Sequence, residues 1–117
     1  MKHVLITGAN RGIGFECVKQ FVDKGYKVTV VCRSSHPDLE QLAYQVISGV
    51  DLRDVDSIVR ARSNCRLDNV DILINNAGIL RNESLVDLSS VRIDQIHDQF
   101  VTNSVAPLLF TYHFLAF

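Results

Sequence analysis

The chain has no tryptophan and only two prolines, Pro37 and Pro107, in 117 residues. Proline is too scarce for an extended linker. With 47% hydrophobic and 21% charged residues, the composition is that of one folded globular domain at most, and no internal repeat or low-complexity tract breaks it. A dominant charge sign is also missing. Twelve basic and 13 acidic side chains leave a net charge of -1, which gives no electrostatic case for nucleic acid or an anionic membrane surface. No apolar run approaches the roughly 20 residues of a bilayer span. The most apolar stretch, 101–117, is interrupted by Asn103, Ser104, Pro107 and His113. One lysine and three apolar residues before the first glycine are too few to be expected to act as a signal peptide. Three cysteines, Cys17, Cys32 and Cys65, are odd in number and far apart. They make neither a disulfide framework nor a metal-ligand pair, so free thiols in a reducing compartment, the cytoplasm, are expected. His3, His36, His97 and His113 contain no His-x-x-x-His pair.

Glycine is scarce too, but it is concentrated. Three of the six glycines fall in Thr7-Gly8-Ala9-Asn10-Arg11-Gly12-Ile13-Gly14. The turn follows an apolar run, Val4-Leu5-Ile6, and precedes a helical pattern in which Ile13, Cys17, Phe21 and Val22 share one side. A strand, a glycine turn and a helix in that order make a pyrophosphate site, because the free N–H groups and positive dipole end of the helix face the anion. Gly8 is expected to supply the unusual backbone angles of the turn, Gly12 the close approach of the ligand, and Gly14 the packing of helix on strand. The spacing Gly-x-x-x-Gly-x-Gly has three residues between the first two glycines, where the usual dinucleotide pattern has one. No Gly-Lys-Ser/Thr follows, so it is not the loop of the nucleotide hydrolases.

Strand and helix patterns alternate along the rest of the chain. Strands are expected at 2–7, 27–32, 45–50 and 71–75. Helices are expected at 12–24, around 38–44 and 55–65, and as one long element from about 91, with a polar turn at 33–37 and a loop at 77–89. The strand cores are short and partly β-branched, as in Val28-Thr29-Val30-Val31, and suit a parallel sheet buried on both faces. The expected fold is α/β and Rossmann-like. It is the N-terminal half of a doubly wound parallel sheet, with strand order 3-2-1-4.

The longer glycine spacing resembles the turn of the short-chain dehydrogenase/reductase family, and further matches sit in the same order. Asp51-Leu52 closes the run 46–50, Asn75-Asn76-Ala77-Gly78 follows Ile72-Leu73-Ile74, and Asn103 lies in Thr102-Asn103-Ser104-Val105-Ala106-Pro107. The resemblance covers essentially the whole chain, and within the family these segments look most like the sniffer and C-factor carbonyl reductases. It implies a nicotinamide dinucleotide held by Gly8, Asn10, Arg11, Gly12, Ile13 and Gly14. It implies that Asp51 accepts from the adenine amino group while the Leu52 N–H reaches the ring, and that Asn75, Ala77 and Gly78 line the cleft. The substrate implied is a small-molecule carbonyl compound.

Which dinucleotide binds turns on a missing acid. An NAD-selective site carries Asp or Glu about 20 residues beyond the turn. Here that region is Val31-Cys32-Arg33-Ser34-Ser35, without an acid. Arg33 and Arg11 would pair with a 2′-phosphate, and Ser34 and Ser35 could add hydroxyl donors, so NADP (NADPH) is the expected cofactor.

The family's catalytic set is a Ser, a Tyr-x-x-x-Lys pair and an Asn. Four residues after Tyr26, Tyr44 and Tyr112 stand Val30, Ser48 and Ala116, so only Asn103 of the set is present. Pro107 has no N–H for the carbonyl four residues back, that of Asn103, and in the family that carbonyl holds a water in a proton relay. The expectation is therefore a C-terminally truncated family member, residues 1–117, that binds cofactor but is catalytically incomplete. Leu108, Leu109, Phe110, Phe114, Leu115 and Phe117 are expected to be exposed, inviting self-association or a partner. Two alternatives stay open. One is a non-catalytic short product that binds nucleotide or associates with a full-length relative, and the other is a nucleotide-sensing module unrelated to redox chemistry.

Overall fold

A computed structural model describes residues 1–66, 69–79 and 92–115. Four strands, β1 (His3–Thr7), β2 (Lys27–Val31), β3 (Gln45–Ile47) and β4 (Ile72–Ile74), form one sheet in the order β3-β2-β1-β4. All three pairings are parallel, with Val4 opposite both Val28 and Ile72, and Thr29 opposite Gln45. The chain steps outward through β2 and β3, then returns to the other side of β1. In such a sheet the crevice for a ligand opens beyond the carboxyl ends of the strands, where the direction reverses.

Alternation along β1 sorts its side chains between two cores. Val4 and Ile6 pack with Val18 and Leu39, from α1 (Gly12–Asp23) and α2 (Pro37–Leu42). Leu5 packs on the other face with Ile58 and Ala61 of α3 (Val55–Asn64) and with Phe110 and Phe114. These two phenylalanines belong to α5 (Ala106–Phe114), which is preceded by α4 (Ile93–Phe100) and a π turn (Val101–Val105). The expectation that Phe110 and Phe114 are exposed is overturned, because α5 packs against α3 and both are buried in the sheet's second core. Leu109 is half-buried against the same core, Leu108 and Leu115 are exposed, and Phe117 lies outside the described residues.

Local chemistry sets the ends of the elements. Helix α1 stops in a Schellman motif. Gly25 takes φ +87°, the Tyr26 N–H donates to the Phe21 carbonyl (3.0 Å), and the two rings meet edge to face. Helix α2 begins at Pro37, which the sequence reading placed in the preceding turn. Proline suits the first helical position because no N–H is needed there. Tyr44, expected in α2, instead gives its N–H to the Val28 carbonyl (2.8 Å) and leads into β3. Strand β3 ends at Ile47 and not at Val50, because Gly49 takes φ +71°. Beyond it the Val50 N–H still bonds to the Cys32 carbonyl (3.1 Å), so the chain stays alongside β2. The expected long helix from about 91 is two helices joined by the π turn, in which the Ala106 N–H reaches back to the Val101 carbonyl. Pro107 stands in the first turn of α5. Most of the expected loop 77–89 and the helix start at 91 lie outside the described residues. Among the described residues no helix is long and apolar enough to cross a membrane, and Cys17, Cys32 and Cys65 form no disulfide.

Candidate functional site

The loops after the four strands enclose a cleft of about 720 Å³. Of the residues expected at a cofactor, Gly8, Asn10, Arg11, Gly12, Ile13, Gly14, Arg33, Asp51, Leu52, Ala77 and Gly78 line it. Asn75 and Asn103 do not line it. The Asn75 amide is turned to the Thr111 hydroxyl (3.0 Å) and ties the end of β4 to α5. Its neighbour Asn76 reaches the cleft instead, because successive side chains of an extended chain point to opposite sides.

The glycine turn is shaped by two distinct constraints. Gly8 takes φ +67°, and a Cβ there would come within 2.7 Å of the Ala77 Cα. Gly14 is closed in by the Ala9 Cα, 2.8 Å from where a Cβ would sit, and by the Asn76 amide. Asn76 donates to the Gly8 carbonyl (3.1 Å) and the Ala77 N–H to the Thr7 hydroxyl (3.1 Å), so the β4 loop fastens the turn. Gly12 differs from both. It takes φ +60° with nothing within 4 Å, an open left-handed position bordering the cleft. Arg11, the N-cap of α1, gives no side-chain cap, and the first turn of the helix holds no acid. The uncapped N–H groups beside an open glycine suit a phosphate, so the donor set fits a dinucleotide.

Around the β2 loop, Arg33 and Arg11 line the cleft, and neither forms an ion pair among the described residues. Ser34 lines the cleft, but the Ser35 hydroxyl donates to Glu40 (2.8 Å) and does not. No carboxylate stands directly after β2. Cys32 borders the cleft but is buried. Its thiol is pushed up to about 11 by desolvation and then by the negative charge of Glu40.

At the β3 loop, Asp51 is gripped by Arg53. The guanidinium binds both carboxylate oxygens (3.1 and 3.0 Å), and the Arg53 N–H adds a third bond (3.0 Å). Chiefly through the side-chain bond, this holds the Asp51 carboxyl below the ordinary value, with the Arg33 charge helping. Arg53 also reaches Asp98 of α4 (3.1 Å), and so joins the loop to that helix. Arg53 and Thr102 line the cleft without having been expected there, whereas Asn76 belongs to the segment 75–78 expected to line it. For Arg53 the signal was its place two residues beyond Asp51. Thr102 had no signal. It is buried, and its hydroxyl has no partner among the described residues.

Asn103 works sideways to the cleft. Its Nδ2 donates to the Ile79 carbonyl (2.7 Å) and its Oδ1 accepts the Ile79 N–H (2.8 Å). Gly78 makes room for this pairing, since a Cβ there would meet the Asn103 Oδ1 at 3.2 Å. The side-chain amide thus clips the β4 loop to the π turn.

Comparison with known proteins places this geometry. Residues 2–117 match the short chain dehydrogenase family. The chain is 31% identical over 102 residues to (-)-isopiperitenone reductase of Mentha piperita, covering 75% of this chain and 32% of that protein. It is 35% identical over 105 residues to an uncharacterized oxidoreductase of Schizosaccharomyces pombe, covering 86% of this chain and 34% of that one. Against the 3-oxoacyl-[acyl-carrier-protein] reductase FabG of Staphylococcus aureus the identity is 30%, over 83% of this chain and 44% of that protein. A short chain dehydrogenase of Burkholderia cenocepacia, solved in complex with NADP, superposes with a TM-score of 0.83. The identity is 25%, and the match covers 98% of this chain and 50% of that one. The chain therefore spans about a third to a half of the length of these proteins. With the family match running from Lys2 to Phe117 over a sheet of the same order, the chain belongs to the short-chain dehydrogenase/reductase family of oxidoreductases.

Proposed function

We propose that residues 1–117 form the cofactor-binding part of an NADP(H)-dependent oxidoreductase that reduces the carbonyl group of a small molecule. The observation that carries the NADP preference is the β2 side of the cleft. Two arginines, Arg11 and Arg33, face it with no ion pair among the described residues, and no acid follows β2. Two guanidiniums suit a 2′-phosphate, whereas a bare ribose would call for a carboxylate. The NADP complex of the Burkholderia protein and the reductase names of the mint and Staphylococcus relatives support the same reading.

In this reading the bound dinucleotide supplies the hydride. The N–H groups at the start of α1 and the open backbone at Gly12 hold its pyrophosphate. Asp51 accepts from the adenine amino group with the Leu52 N–H beside it, and Ala77 and Gly78 border the nicotinamide half. Asn103 would serve the proton relay through its main-chain carbonyl, since both ends of its side-chain amide are engaged by Ile79. We place a contact with a second protein chain on the exposed apolar residues of α4 and α5, among them Phe100, Leu108, Tyr112 and Leu115.

The test is a pair of fluorescence titrations with NADPH and NADH. NADPH should bind at least tenfold more tightly, in line with a charge-assisted pair worth about 1.5–3 kcal/mol. Arg33→Asp should reverse the preference. Equal affinities in the unsubstituted protein would sink the NADP assignment.

A further inference from the structure

We propose that His36 is a positioning residue that sets the cleft's preference for a 2′-phosphorylated nucleotide, by locking together the two loops that carry Arg11 and Arg33. The proposal rests on the NADP reading above. The His36 Nε2 lies 2.7 Å from the Asn10 carbonyl oxygen, and its Nδ1 lies 3.3 Å from the Leu39 nitrogen. A backbone N–H can only donate, so Nδ1 is the acceptor and the ring proton sits on Nε2, where it donates to Asn10. The ring also stands edge-on to Phe15 of α1, with centroids 5.0 Å apart. A half-buried imidazole is thus fixed by the glycine turn, by α1 and by the first turn of α2 at once.

The consequence follows from where these contacts fall in the sequence. Asn10 is the neighbour of Arg11, and His36 stands three residues beyond Arg33. The Nε2 bond crosses 26 residues of chain to join the two segments. Two guanidiniums brought to one phosphate repel each other until it arrives, so the loops need a tether. A neutral ring supplies one without competing for the anion. A ligand with a free 2′-hydroxyl makes no demand on the arginine pair, so the tether favours the 2′-phosphorylated ligand over it, by preorganisation.

Two variants separate this role from that of a helix cap. His36→Asn keeps an acceptor for the Leu39 N–H, asparagine being a strong N-cap, but is too short to reach Asn10. His36→Gln places an amide near the Nε2 position, keeping the reach to Asn10 while weakening the cap. The readouts are calorimetric dissociation constants for 2′,5′-ADP and 5′-AMP, with thermal melts of each protein. The preference for 2′,5′-ADP should fall about five- to tenfold in His36→Asn with its melting temperature kept. In His36→Gln the preference should survive although the melting temperature drops. Equal weakening of both ligands in His36→Asn, loss of preference in both variants alike, or preference kept in His36→Asn and lost in His36→Gln would each overturn the proposal, the last by reducing His36 to a helix cap. If the unsubstituted protein itself fails to prefer 2′,5′-ADP, the NADP reading falls and takes the proposal with it.

Discussion

At the scale of single residues, Asn103 shows how a family motif can be occupied by architecture. Its amide pairs with the N–H and the carbonyl of one residue, Ile79, as a strand neighbour would. Replacement by alanine removes both bonds and leaves the Ile79 backbone to water. Each such bond contributes about 0.5–1.5 kcal/mol, so Asn103→Ala should destabilise the fold by about 1–3 kcal/mol in urea unfolding. Asn103→Asp is the sharper variant, because it keeps the acceptor but sets a carboxylate against the Ile79 carbonyl. It should cost at least as much as alanine above the carboxylate's pKa and recover in acid. An Asn103→Asp protein as stable as the unsubstituted one at neutral pH would show that the pairing does not hold in solution.

At the scale of elements, the Arg53 bridge between Asp51 and Asp98 makes the β3 side of the cleft sensitive to acid. The Asp51 carboxyl is held below its ordinary value, chiefly by the Arg53 side chain, so the unfolded chain takes up this proton more readily than the folded one. The stabilisation is therefore full above the ordinary aspartate value of about 3.9, and is lost as pH falls through the lower folded value. Thermal melts stepped from about pH 5 to about pH 2 should show this loss, and Asp51→Asn should flatten the corresponding part of the curve. An unchanged curve in Asp51→Asn would assign the acid sensitivity to other carboxylates. This bridge also marks where the sequence stopped being readable. The strands and the glycine turn were legible because their signals are local: alternating Val and Ile between two cores, and glycines where backbone meets backbone. The pair Arg53–Asp98 joins residues 45 positions apart, and no local pattern records it. The π turn escaped for a different reason. Pro107 announced a break, but whether the helix kinks or takes one extra residue per turn depends on how α5 seats Phe110 and Phe114 against α3. The same packing turned two side chains expected at the surface into core.

At the scale of residues 1–117 taken together, the cleft and the tyrosines lie apart. The cleft is lined by the glycine turn, two arginines and the loop after β3, but none of the three tyrosines lines it. Tyr44 does have a lysine beside it, with the Lys27 ammonium 4.6 Å from the ring centre. That pair stands at the amino ends of β2 and β3, opposite the cleft, and cannot reach a substrate there. Tyr26 packs on Phe21 behind α1, and Tyr112 is exposed on α5. Carbonyl reduction needs a proton for the developing alkoxide, and a positioned acid contributes about 10²–10⁴-fold, with orientation and charge stabilisation lost alongside it. Purified residues 1–117 should therefore bind NADPH and yet consume none with a panel of aldehydes and quinones. Appending the Ser and Tyr-x-x-x-Lys segment of a family relative should restore turnover, and changing that tyrosine to phenylalanine should remove it again. NADPH oxidation by residues 1–117 that scales with carbonyl substrate and survives Tyr44→Phe and Tyr112→Phe would demand a proton donor from the cleft itself.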